Sequence, residues 1–187
     1  MVEWAFCGTS HTSPAFTENG IGKPQHSSWH HWIDSRNIEL EPDEGDMWPQ
    51  ENGDVLEKGC MRHPTSGKKV AYEELWADIV ILPIRSHSKN TAERKCVVLK
   101  SDSDGTKGLI IRVGQYIQGM MRSSEGLRLV QFEWQARPSQ GDEVGVWTKT
   151  LSLGRGHIPY MKIINGLNIK VGECIEGCWE LLEDFTW

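Results

Sequence analysis

Apolar and polar residues alternate with a period of two along much of this chain, the period of a pleated strand. In residues 107–121, KGLIIRVGQYIQGMM, extended backbone would put Leu109, Ile111, Val113, Ile117 and Met121 on one face. Arg112, Gly114, Tyr116, Gln118 and Met120 would then share the other. A helix would hold Gly114 and Gly119 in its interior at about 1 kcal/mol each relative to alanine. The segment is therefore expected to be a long strand bent at its glycines. After the turn residues RSSEG, Val130, Phe132 and Trp134 alternate with Leu129, Gln131 and Glu133. EVGVWTKTLSL and LNIKVGECIEGCWELLEDF extend the series, and CVVLKSDSDGTKG precedes it with an Asp/Ser/Gly turn. The pattern is that of an up-and-down antiparallel meander. Such a sheet is stable as a closed barrel, because closure removes its edges.

The first half is less regular. EWAFCGTSH and SSWHHWIDSR read as strands, and DVLEKGCMRHP and KKVAYEEL as a hairpin around TSG. The acidic stretch ELEPDEGDMWPQENGD, 39–54, reads as a loop, and YEELW as a surface turn or short helix. RSHSKNTAER, 85–94, is polar without periodicity and reads as a linker between a domain at 1–88 and a second at 95–187. The expected fold class is all-β.

Composition adds a packed core. Of 187 residues, 38% are hydrophobic and nine are tryptophans, which no disordered chain of this kind would carry. The net charge is −6 with no long Lys/Arg run, so nucleic acid is not an expected partner. MVEWAFCGTS lacks the regions of a signal peptide, and the longest apolar run, IVILPI, is far short of a membrane span. Five cysteines without framework spacing fit reduced thiols, in the cytoplasm and also the nucleus.

EWAFCGTS, WIDSR, DEGDMWPQ, VLEKG, YEELW, KCVVLK and GLIIRVGQYIQGMM occur in this order, with RVGQYIQG the strongest element. Together they resemble the fungal Hri protein family, a cytosolic group named for interaction with a casein-kinase-1-type kinase. The resemblance implies two lipocalin-like antiparallel β-barrels, such a kinase as partner, and no family catalytic motif. Family members carry further β-sequence before the Glu-Trp-Ala-Phe motif, which begins here at Glu3. The N-terminal barrel is accordingly expected to lack its first strands, leaving an edge that a homodimer would cover.

Candidate chemistry is sparse. His30 and His31 are neighbours on a strand and point to opposite faces, and with His26 they find no second cluster of zinc ligands. Cys174 and Cys178 stand alone as C-x3-C and read as small strand hydrophobes. Glu39 to Asp46 lacks the ligand spacing of a calcium loop and reads as solvated, or as a docking surface for a basic partner. GRGHIPY lacks the context of a dinucleotide site, and there is no Gly-x-Ser-x-Gly. No catalytic residue, metal or cofactor is expected. Trp29, His31, Tyr116, Trp134, Trp147 and His157 are the expected ligand-lining residues. The leading reading is a non-enzymatic intracellular binding protein. Its rivals are a carrier of a small apolar ligand, and a metabolite cyclase or isomerase using His31, His157 or Glu133 as its acid/base group.

Overall fold

The computed structural model describes residues 2–18, 20–36, 43–63, 66–85, 92–103, 105–137, 144–176 and 178–187. The chain divides into two compact units, Met1–Ile79 and Val80–Trp187. The first contains β1 (Phe6–Ser13), β2 (Phe16–Glu18), β3 (Ile21–Lys23), β4 (Gln25–Asp34), β5 (Asp43–Pro49), β6 (Val55–Arg62) and β7 (Lys69–Trp76). The second contains β8 (Ile84–Arg85), β9 (Ala92–Glu93), β10 (Lys95–Ser103), β11 (Thr106–Val113), β12 (Tyr116–Ser123), β13 (Gly126–Arg137) and β14 (Val144–Leu153). Helix α1 (Tyr160–Asn165), β15 (Cys174–Ile175) and β16 (Trp179–Thr186) complete it. The structure is antiparallel and almost wholly β, as the alternation predicts.

The first sheet has the order β1-β4-β5-β6-β7, and the second β14-β13-β12-β11-β10-β16-β15. The expected hairpin of residues 54–75 is present as β6 and β7, from Val55↔Trp76 to Arg62↔Lys69. YEELW belongs to β7 and is neither turn nor helix, because Tyr72 and Trp76 reach across to a side chain of β6. The acidic stretch is a loop only in part: Asp43–Pro49 is β5. Its even-numbered acids lie on the face opposite to Asp43, and there Asp46 Oδ1 lies 2.9 Å from His26 Nδ1 and Glu44 Oε2 lies 3.6 Å from His26 Nε2. Glu39 and Glu41, and most of the expected linker, fall outside the described residues.

Residues 107–121 form a hairpin, not one bent strand. Val113 pairs with Tyr116 across the turn Gly114–Gln115. Gly114 has φ 52°, the positive value that a tight hairpin turn demands at its first central position. A two-residue turn puts residues i and i+3 on one face, so parity reverses across it. Ile110 and Arg112 face inward before the turn, and Ile117, Gly119 and Met121 after it; Ile111 is exposed. Gln115 is buried beside the turn. Its Oε1 accepts from the Leu82 N–H at 2.8 Å and its Nε2 donates to the Val80 carbonyl at 2.8 Å, which fixes residues 80–82 to the second unit.

The core of the second unit gathers Val97, Leu99, Ile110, Ile117, Met121, Val130, Phe132, Trp179 and Leu181 with Ile158 and Ile163. One face of five strands can converge on a single cluster only if the sheet curls around it. The short helix, which periodicity did not announce, supplies Ile163, and the turn before it supplies Ile158. Leu99, Ile110, Ile117 and Leu181 are fully shielded from solvent. Each contributes on the order of 1.5–3 kcal/mol by burial. Gly108 faces the six-membered ring of Trp179, which occupies the space a Cβ would need. Ser101, also inward, has an enclosed hydroxyl with no hydrogen-bond partner.

Two substitutions test this packing by urea denaturation. Gly108→Ala is expected to lower stability by about 1–3 kcal/mol, since a methyl group must displace Trp179. Ser101→Ala is expected to raise it by about 1 kcal/mol, by removing a desolvated hydroxyl that nothing satisfies.

Candidate functional site

Strand register builds a polar, aromatic face inside the first unit. One row across the sheet runs Thr12, Ser27, Gly45, Gly59, Tyr72. Parallel rows place Trp29 opposite Asp43, Glu57 between Met47 and Glu74, and Trp76 opposite Val55. Trp29, His31, Asp43, Glu57, Tyr72, Glu74 and Trp76 therefore share one face. The two glycines in the first row make room. A Cβ on Gly45 would stand 2.6 Å from Glu57 Cγ, and one on Gly59 would meet the Tyr72 ring.

Glu57 is the centre of the face and is 2% exposed. Its Oε1 accepts the Tyr72 hydroxyl at 2.5 Å and its Oε2 accepts the Trp76 indole N–H at 2.8 Å. Burial, then the hydrogen bond to Glu57 and its charge, push the Tyr72 phenol far above its ordinary range, so it remains a donor. Glu74 lies directly opposite Glu57, an unfavourable like-charge pair. Burial, then Glu57 and Asp43, push the Glu74 carboxyl up. Among the described residues neither Glu57 nor Glu74 has a basic partner within ion-pair distance. Trp29 and Trp76 lie nearly parallel, with centroids 6.2 Å apart.

At one side of this face His31 is clamped between two carboxylates. Nδ1 lies 2.7 Å from Asp34 Oδ2 and Nε2 lies 2.9 Å from Asp43 Oδ2. Phe6 stacks on the ring at 3.8 Å and Trp4 meets it edge-on at 5.4 Å. Trp4 also donates its indole N–H to Asp34 Oδ2 at 3.0 Å, and the Arg36 guanidinium sits 4.4 Å above the Trp4 ring. The imidazole is fixed on every side, which suits a structural tie better than a proton shuttle. Among the described residues no group of three or more His, Cys, Asp or Glu side chains is placed to hold a metal ion.

Of the residues expected to line a ligand site, Trp29 and His31 do meet on this face. Trp134 and Trp147 are cross-strand partners in the second unit. Tyr116 pairs with Glu133 on the face away from the core. His157 is exposed, its Nε2 2.9 Å from Glu176 Oε2. Within the second unit, Tyr116 and the Trp134–Trp147 pair thus lie on opposite faces of the sheet. Asp43, Glu57, Tyr72 and Trp76 were not among those expected. Their one sequence signal is the alternation Val55/Glu57/Gly59 and Tyr72/Glu74/Trp76, which becomes a cluster only once the register is known. The cysteines also differ from expectation: Cys174 and Cys178 are exposed, whereas burial lifts the Cys7 thiol to about 11.

Residues 1–183 match the family described as Protein HRI1. A Saccharomyces cerevisiae relative, Protein HRI1, is 26% identical over 149 residues, 69% of this chain and 59% of the relative. The chain thus spans less than two thirds of that relative's length. The crystal structure of an uncharacterized protein from Saccharomyces cerevisiae has the same fold, with a TM-score of 0.66 and 22% identity over 98% of this chain and 79% of that one.

Tyr72→Phe is expected to cost about 1.5–3 kcal/mol in urea unfolding, since it strips a donor from a buried carboxylate. His26 supplies a pH signature. The Asp46 hydrogen bond, opposed by slight burial and assisted by Glu44, holds its folded pKa above the ordinary 6.5. Its stabilising contribution is complete below the unfolded value and disappears as pH rises through the folded one. Stability measured across that window should fall more steeply in the wild type than in His26→Gln.

Proposed function

The chain belongs to the HRI1 family, and on that footing we propose that it is a non-enzymatic intracellular binding protein of lipocalin-like architecture. It holds a partner protein in the cytoplasm or nucleus and transforms no substrate. The observation that carries this reading is the carboxylate and aromatic face of the first unit. Asp34 and Asp43 flank His31, and Glu57 and Glu74 lie opposite each other on neighbouring strands with Trp29, Tyr72 and Trp76 on the same face. A face with surplus negative charge and exposed ring surface suits a cation carried on an organic stem: a lysine or arginine of the partner, packed against tryptophan. The resemblance to a family named for a casein-kinase-1-type kinase supplies the first partner to test. The second unit supports the reading in a different way. Its interior is occupied by Ile158 and Ile163, so it serves as a packed support in preference to a carrier for an apolar ligand.

Calorimetry with a purified casein-kinase-1-type kinase tests the proposal. Binding is expected, weakening as salt is raised. Glu74→Lys, at an exposed position, is expected to weaken it about tenfold or more while leaving the fold intact. Absence of binding, or full affinity in Glu74→Lys, would overturn the reading.

A further inference from the structure

The second unit holds a guanidinium with no carboxylate within ion-pair distance among the described residues. Arg112 faces inward on β11 and is 9% exposed. Its Nε donates to the Gly114 carbonyl at 3.2 Å and its Nη1 to the Ile163 carbonyl at 3.4 Å. Among the described residues Nη2 has no hydrogen-bond partner, and it reaches solvent. Burial pulls the proton affinity of the group down, and the charge of Asp184 opposes this. Asp184, however, is already engaged by Lys95 Nζ, at 2.8 and 3.0 Å to its two oxygens. A buried guanidinium served only by backbone carbonyls is costly, and its five donors in a planar fork match a carboxylate or phosphate.

The surroundings extend this match. The Arg112 guanidinium carbon lies 5.1 Å from the Trp147 ring centroid. Arg112, Ile117, Phe132 and Lys149 are successive partners in one row across four strands. Lys149 Nζ sits 5.6 Å from the Phe132 ring and 5.7 Å from the Tyr160 ring, and those rings are 4.4 Å apart. Lys149 also lacks an acidic partner among the described residues. Two unneutralised cations thus bracket three aromatic rings. We propose that this end of the second unit binds a small organic anion, its acid group on Arg112 and its body against Trp147 and Phe132, with Lys149 at the rim. The site is separate from the carboxylate face of the first unit and of opposite sign, so it does not depend on the function proposed above.

Calorimetry with the full chain and three probes, benzoate, phenyl phosphate and benzyl alcohol, tests the assignment. At least one anion is expected to bind saturably, and the neutral alcohol to bind more weakly than either. Saturation by benzoate alone identifies a carboxylate site, and by phenyl phosphate alone a phosphate site. Arg112→Lys, which keeps the charge but loses the fork, is expected to weaken binding about tenfold. Lys149→Glu, at an exposed position, is expected to weaken it severalfold, and remains informative if the buried substitution unfolds the unit. No saturable anion binding, equal binding of benzyl alcohol, or unchanged affinity in both variants would overturn the proposal.

Discussion

A pleated strand must send alternate side chains to opposite sides, and everything in this protein follows from which set each unit turns inward. The second unit turns inward leucine, isoleucine, valine and aromatic rings, so that its sheet closes on a dense apolar cluster. The first turns inward serine, threonine, histidine, aspartate, glutamate and tryptophan. Burying carboxylates is unfavourable unless each oxygen finds a donor. Glu57 satisfies this condition through Tyr72 and Trp76, and Asp34 through the Trp4 indole N–H and the Arg36 backbone N–H. Hydrogen bonds thus hold the first sheet where hydrophobic contact holds the second.

This division gives the two halves different work. A solid core resists deformation, because every displacement opens a void or forces an overlap. A polar interior with unneutralised charge has electrostatic free energy left over, which a cation of suitable shape can release. The glycines at 45 and 59 serve that polar interior, admitting the Glu57 and Tyr72 side chains between neighbouring strands.

Much of the architecture was legible in the sequence, because strand periodicity and turn residues are local. The all-β class, the strands around Trp29 and Trp134, and the β6–β7 hairpin all follow from it. Local alternation did not reveal the phase. A tight turn at Gly114 reverses parity, so Arg112 lies inside together with Ile117, which unbroken alternation puts on opposite faces, and Ile111 lies outside. Nor did it reveal the centre of the polar face. Glu57 lies 15 residues from Tyr72 and 19 from Trp76, and no run of sequence signals that the three converge. Acid-rich segments were misread as loops for the same reason. Glu44 and Asp46 look like solvent-facing turn residues until His26 is placed beside them across a ladder.

The pairing of β10 with β16 has a temporal consequence. Lys95 and Asp184, joined across this ladder, are 89 residues apart in sequence. During synthesis β10 emerges long before its partner does, and its free edge stands open while β11 to β14 assemble on the other side. Trp179 and Leu181, the last pieces of the core, arrive with the same final strand. Contacts so distant in sequence form slowly. The half-built unit is therefore an exposed, sticky ribbon until β16 emerges, and that strand acts as its seal.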